Sequence, residues 1–272
     1  MPRSTPDIEL TLLLEAIYLK YQHDFRDYSR VSMRRRIEQA RAHFNCATVS
    51  QLQDRILNEE GIFAQMLGFL TVQVSELFRD PSYFRAIREK VVPILKTYPS
   101  IKVWIAGCSS GEELWSLAIL FEEEGLSART LFYATDINPE ALRAAQAGIY
   151  PTSALAAGSR NYTAAGGKRS LSDYYHAAYG SASFARSLHP QVVFADHSLA
   201  TDSVFSEVHL VSCRNVLIYF NHELQNRAFR LFRDSLVRRG FLGLGSKESL
   251  RFSTATADFD DFERDERIYQ RR

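Results

Sequence analysis

Ile101-Lys102-Val103-Trp104-Ile105-Ala106 is a short apolar run, and Gly107-Cys108-Ser109-Ser110-Gly111 follows it as a small-residue turn. Glu112 to Glu124 then reads as a helix, and Thr130-Leu131-Phe132-Tyr133-Ala134-Thr135 as a second strand. Strand, glycine turn, helix and strand make a βαβ unit, which predicts a parallel sheet. Downstream, a helix from about Pro139 to Ala147 and strands at Val192–Ala195, Glu207–Ser212 and Phe241–Gly245 continue the alternation. A helix from Asn221 to Arg238 separates the last two strands, and Tyr269 is expected on a final antiparallel edge strand.

Upstream the pattern differs. Leu10, Leu13, Leu14, Ile17 and Tyr18 recur at helical spacing, as do Ile56, Ile62, Met66, Leu67 and Leu70. Residues 1–97 therefore read as helix throughout, a helical N-terminal domain with its linker, and residues 98–272 as the α/β domain. Residues 150–190 are rich in Ala, Gly, Ser and Tyr and show no clear helical period. A structureless loop of that length is unusual inside a compact domain, so this stretch reads as an inserted subdomain of short strands, with turns at Gly166-Gly167 and Gly180.

Composition narrows the function classes. With 46% apolar and 24% charged residues among 272, the chain is globular rather than disordered. No apolar run approaches the roughly 20 residues of a membrane span. Met1-Pro2-Arg3-Ser4 has no apolar signal core, so a cytoplasmic protein without membrane insertion is expected. A net charge of +1 gives no general bias toward nucleic acid, and neither an RNA-binding nor a helix-turn-helix signature is present. Three scattered cysteines argue for reduced thiols, and seven histidines without ligand spacing predict no metal.

The turn after the first strand matches neither the dinucleotide fingerprint nor the P-loop. Glu112 and Glu113 disfavour a phosphate there and suit a ligand carrying positive charge. Asp136 ends the second strand, where an acidic group in a doubly wound sheet accepts hydrogen bonds from ribose hydroxyls. Ribose, a cationic centre and no phosphate describe S-adenosylmethionine. The same residues also suit a structural glycine turn and an aspartate that caps the next helix.

Four motifs in order then decide between these readings. Thr71-Val72-Gln73-Val74-Ser75-Glu76-Leu77-Phe78-Arg79-Asp80-Pro81, Ala106 to Glu113, Ala134-Thr135-Asp136-Ile137-Asn138 and Ser212-Cys213-Arg214-Asn215-Val216-Leu217-Ile218-Tyr219-Phe220 together resemble the signatures of the chemotaxis receptor glutamate methyltransferases, the CheR family. The resemblance implies a helical N-terminal domain followed by a Rossmann-like S-adenosylmethionine methyltransferase domain with a small inserted β-subdomain. It implies that Gln73, Ser75 and Arg79 lie over the cofactor, and that Glu113 binds near its methionine amino group. Asp136 would hold the ribose, Ser198-Leu199 would flank the adenine, and Arg214 and Asn215 would line the pocket. Tyr219 would sit near the transferred methyl, so Arg79 and Tyr219 are the candidate catalytic residues. S-adenosylhomocysteine would be the product.

Six arginines lie between Arg26 and Arg41, and Arg30, Arg34 and Arg41 share one helix face flanked by Arg35. That face suits an acidic helical substrate, which the resemblance makes the cytoplasmic helical domain of a chemoreceptor, a methyl-accepting protein. The bland alternative is a solvated face with local pairs such as Arg34 with Glu38. The implied activity is protein-glutamate O-methylation by a monomer. A non-enzymatic module that binds S-adenosylmethionine or S-adenosylhomocysteine is the alternative, resting on departures from the family pattern at Leu114, Trp115 and Ser198.

Overall fold

The computed structural model describes residues 4–185, 188 and 190–272. The expectations for the first three residues and for 186, 187 and 189 of the insert lie outside the described residues. The chain divides into two compact units. One comprises Met1–Gln73, Ser198–Asp202 and Tyr219–Ala228; the other comprises Val74–His197, Ser203–Ile218 and Phe229–Arg272.

The first unit is built on α1 (Thr5–Tyr21), α2 (Arg30–His43), α3 (Val49–Asn58) and α4 (Ile62–Leu70). Leu10, Leu13, Leu14 and Ile17 of α1 are all buried, as their spacing requires of a single apolar stripe. α3 starts at Thr48, whose side chain accepts the Gln51 N–H at 3.1 Å; such a cap contributes about 1 kcal/mol. The helix does not run unbroken to residue 97 as expected. Nothing from Thr71 to Asp80 is helical, and Phe78 and Asp80 take left-handed backbone angles (φ 51° and 55°). Thr71, Val72 and Val74 are β-branched, and Pro81 bars the α region to the residue before it.

The second unit opens with α5 (Pro81–Ala86), one π turn over Ile87–Val91 and α6 (Val92–Leu95). The π turn falls where Pro93 lacks the N–H that a regular helix would use. Then come β1 (Ile101–Ala106), α7 (Glu112–Glu123), β2 (Thr130–Asp136), α8 (Pro139–Ala147), β3 (Ile149–Pro151), α9 (Thr152–Ala164), β4 (Tyr175–Ala178), β5 (Ser181–Phe184), β6 (Gln191–Asp196) and β7 (Val208–Cys213). The chain ends with α10 (His222–Ser235), β8 (Leu236–Leu244), β9 (Phe259–Glu263) and β10 (Ile268–Arg271). The seven-stranded sheet has the order β6-β2-β1-β7-β8-β10-β9. Strands β6, β2, β1, β7 and β8 run parallel; β10 is antiparallel to both its neighbours. Val103, Trp104, Ile105, Phe132, Leu210, Val211, Phe241 and Leu242 are essentially inaccessible, as strands covered on both faces demand.

Three local expectations are corrected. Tyr269 lies on β10, which is paired on both sides, and β9 is the edge. α10 stops at Ser235, and the residues expected to continue it enter β8, whose register against β7 shifts between Val208 and Leu210. The insert is not strands alone. β3, β5 and β4 form a three-stranded antiparallel sheet, but Thr152–Ala164 is a helix. Only Leu155, Gly158 and Tyr162 of α9 are buried, so small side chains hide its period. The β4–β5 hairpin turns through Tyr179 and Gly180, both at positive φ (52° and 77°), as a two-residue turn of type I′ requires.

Candidate functional site

The topology names the crevice. From β1 the chain moves outward through β2 to β6, then returns to the other side of β1 with β7 and moves out to β8. Ligands of open parallel sheets bind outside the carboxyl ends of the strands at such a reversal. Three segments end there within the second unit: the turn after β1, Asp136 at the end of β2, and the loop after β7.

Gly111 starts α7 with φ 93°, and a Cβ there would stand 2.8 Å from the Ala145 methyl. The first turn of α7 thus carries two carboxylates with different duties. Glu112 accepts the Ser110 hydroxyl of its own turn at 2.7 Å. Glu113 faces across to β7, where Ser212 Oγ donates to its Oε1 at 2.6 Å and Arg214 Nη1 to its Oε2 at 3.2 Å. Arg214 Nη2 also donates to Asp80 Oδ2 (2.9 Å) and to the Arg79 carbonyl (2.8 Å). Its guanidinium lies 4.2 Å from the centre of the Tyr83 ring, and its side chain is 1% exposed. A buried cation is tolerated here because two carboxylates and an aromatic face surround it. Arg79 therefore joins this network through its backbone, while its own Nη1 donates to the Val74 carbonyl at 3.3 Å. Ser75, in the same segment, is half-buried.

Asp136 is buried. Its Oδ2 accepts the Ser109 N–H at 2.9 Å and its Oδ1 the Asn138 N–H at 3.0 Å. Burial raises its pKa, against the opposing pull of these N–H groups. Each oxygen keeps acceptor capacity. The helix-capping role belongs to Asn138, whose side chain accepts from the Glu140 and Ala141 N–H groups. Burial, and then the charges of Asp136, Glu113 and Glu112, push the Cys108 thiol up, which makes it a packed neutral side chain within reach of all three acids.

Asn215 takes a left-handed φ of 62° after β7. A residue that the sequence did not single out holds it there: Glu248, 5% exposed, accepts the N–H groups of Asn215 and Gly245 at Oε2 and of Leu217 and Ile218 at Oε1.

The first unit holds the other expected residues. Ser198 N–H donates to Asp202 Oδ2, the Ser198 hydroxyl accepts the Ala200 N–H, and Leu199 is buried. Exposed Gln73 donates to the Thr71 hydroxyl. Tyr219 is half-buried, its carbonyl accepts the Ser29 N–H at 2.7 Å, and Arg36 stacks 4.4 Å from its ring centre. The arginine face pairs differently from expectation: Arg34 bonds Asp7 of α1, Arg30 reaches the Asp7 carbonyl and the Thr11 hydroxyl, and it is Arg41 that pairs with Glu38, at 2.8 Å. Arg30, Arg34 and Arg35 line, with Asp7, Val31 and Glu38, a groove of about 450 Å³. Arg36 of the same run is 3% exposed and belongs to the interior of this unit.

Two family models meet along this chain. The "CheR methyltransferase, all-alpha domain" matches residues 8–71, and the "CheR methyltransferase, SAM binding domain" matches residues 73–267. The chain belongs to the CheR methyltransferase family. Cher3 of Pseudomonas putida KT2440, provisionally named a methyltransferase, is 58% identical over 265 residues, 97% of each chain. An uncharacterised 104.1 kDa protein of Rhodobacter capsulatus is 30% identical over 261 residues, 90% of this chain and 26% of that one. A chemotaxis protein methyltransferase of Listeria monocytogenes is 28% identical over 234 residues, 84% of each chain.

A CheR-type methyltransferase uses S-adenosylmethionine, and the second unit fits it. Glu113, Glu112 and Asp136 gather negative charge at the strand ends, and no lysine stands in the turn between β1 and α7 to hold a phosphate. Among the described residues no helix is long and apolar enough to cross a membrane, and no three His, Cys, Asp or Glu side chains gather as metal ligands. The residues that sequence reasoning missed around this candidate site are Tyr83, Ser212 as a hydrogen-bonding group, Asp80 and Glu248. Ser212 and Asp80 stand inside the quoted motifs, so their place was visible and their bonds were not. Glu248 follows a Gly-Ser-Lys turn after β8, and nothing local marks it as buried.

Proposed function

We propose that this CheR-type chain is a protein-glutamate O-methyltransferase that esterifies glutamate side chains on the cytoplasmic helical domain of a chemoreceptor. The observation that carries the reading is the division of charge. Carboxylates collect at the strand ends of the second unit, and arginines line the α1–α2 groove of the first. The name of the Listeria relative, a chemotaxis protein methyltransferase, supports a chemotaxis role, and the arginine groove suits an acidic partner.

S-adenosylmethionine, when bound, supplies a methyl group activated by its sulfonium. Within the second unit, Glu113 would receive the ammonium of the cofactor's amino-acid end and Asp136 the ribose, with Ser75 and Asn215 as further lining. Arg214, paired with Glu113 and Asp80, would hold the Glu113 carboxylate in place. Arg79 would orient the substrate carboxylate or that of the cofactor. The substrate glutamate is ionised at pH 7, since its ordinary pKa is about 4.3, so no general base is needed. His197, whose backbone N–H donates to the Asp136 carbonyl at 3.4 Å, is built into the interior instead: its Nε2 meets the Ser203 carbonyl and its ring packs edge-on against Trp104. Orientation carries the rate; aligned reactants can gain roughly 7–11 kcal/mol. Arg30, Arg34, Arg35 and Arg41 offer the face that meets the receptor.

The test uses S-adenosylmethionine labelled on the methyl group, incubated with the protein and receptor-containing membranes. Label on the receptor that mild base releases as volatile methanol, and that disappears with Asp136→Ala, is the expected result. Base-stable label, or none while S-adenosylhomocysteine still binds, would refute glutamate esterification.

A further inference from the structure

We infer that Tyr83 is a positioning residue for methyl transfer: through Ser212, its buried hydroxyl sets the carboxylate of Glu113 that receives the cofactor's ammonium. This rests on the role of Glu113 proposed above. Ser212 Oγ lies 2.6 Å from Glu113 Oε1 and 2.8 Å from the Tyr83 hydroxyl. The direction of the bonds follows from proton count. Glu113, ion-paired with Arg214, is an acceptor only, so the single Ser212 hydrogen goes to it. The Tyr83 hydroxyl must then donate to Ser212. The chain of donation is Tyr83 to Ser212 to Glu113, and its polarity is fixed from the buried end.

Tyr83 has little freedom to do otherwise. It is 1% exposed and its ring lies under the Arg214 guanidinium. On the far side stands Gly243, the β8 partner of Ser212; a Cβ there would be 2.1 Å from the Tyr83 hydroxyl oxygen. The missing side chain at 243 makes room for that hydroxyl. Glu113 is thereby held at both oxygens, by Ser212 and by Arg214, before any ligand arrives. Preorganisation of this kind is what a supporting hydrogen bond contributes to a binding group.

The experiment compares two ligands by calorimetry: S-adenosylhomocysteine, which carries the amino-acid end, and 5′-methylthioadenosine, which lacks it. Tyr83→Phe keeps the ring and its contact with Arg214 and removes only the donor. It should weaken S-adenosylhomocysteine about tenfold, the worth of one net hydrogen bond, and leave methylthioadenosine within about twofold. Gly243→Ala, whose added methyl would displace the Tyr83 hydroxyl and the ring edge that carries it, should show the same selective loss. Equal weakening of both ligands would reveal a merely structural tyrosine and overturn the inference, as would no change in either. Glu113→Gln separates the underlying reading. A selective loss with Glu113→Gln but none with Tyr83→Phe refutes the relay alone; no loss with Glu113→Gln refutes the role of Glu113 and the relay with it.

Discussion

Glu248 Oε2 lies 2.9 Å from the backbone nitrogen of Asn215, and the two residues are 33 positions apart. With three further N–H groups on the same carboxylate, Glu248 ties the loop after β7 to the turn after β8. It is a buried acid used as a backbone clamp. Glu248→Gln would replace one acceptor oxygen by an NH2 facing N–H donors. Each donor left unsatisfied costs about 1–3 kcal/mol. We expect a clear drop in thermal midpoint together with weaker S-adenosylhomocysteine binding; an unchanged midpoint would show that the clamp contributes nothing.

The far end of α7 predicts acid sensitivity. Glu124 pairs with Arg88, Lys96 and Lys168, and these partners outweigh its burial and hold its pKa at about 2. Burial likewise works against Glu123, but Tyr162, the Lys168 N–H and Arg88 lower its pKa too. For a lowered carboxylate the stabilisation is present above the unfolded pKa, near 4.5, and is lost as pH falls toward the folded value. Glu124, 9% exposed at its side chain, would contribute on the order of 3 kcal/mol by this linkage. Asp136 and Glu248, raised by burial, act with the opposite sign, favouring the fold at low pH and losing that as pH rises through their raised values. Urea midpoints at pH 5, 4 and 3 should fall steeply for the native chain and less steeply for Glu124→Gln. Parallel curves would refute the assignment.

Asp136 separates binding from folding. Asp136→Asn keeps the shape and one acceptor for the Ser109 or Asn138 N–H, so the fold should survive at a cost of about 1–3 kcal/mol for the other. The charge-assisted bonds to a ribose would be lost, and S-adenosylhomocysteine affinity should fall about 10- to 100-fold. Calorimetry decides, and full affinity in this variant would remove Asp136 from the site.

The arginine face is best probed at Arg35. Arg34 is paired with Asp7 and Arg41 with Glu38, so reversing either would also leave an acid facing an acid. Arg35 is exposed and lines the groove. Arg35→Glu should lower receptor methylation several-fold while S-adenosylhomocysteine affinity stays constant, and the deficit should shrink as salt screens it. Methylation at the native rate at low salt would place receptor docking elsewhere.

The strand, glycine turn and helix of 101–123, the acid ending β2 and the apolar stripe of α1 were legible in the sequence, because each is a local pattern set by a few adjacent residues. So were the four motifs that carry the CheR resemblance. The bonds between those motifs were not. Tyr83 and Ser212 lie 129 positions apart and Glu113 and Arg214 lie 101 apart, and nothing local to any of the four says which will be neighbours. The pairing of Arg34 with Asp7 rather than Glu38 depends on how α1 packs beside α2, and α9 is visible only where Leu155 and Tyr162 find a surface to bury against. The sequence by itself determined the strand and helix alternation around β1 and β2, the chemistry available at each strand end and the family. Tertiary structure decided which carboxylate is free to meet a ligand and which is consumed as a clamp, because partner choice for a buried charge depends on what packing places within about 3 Å of it.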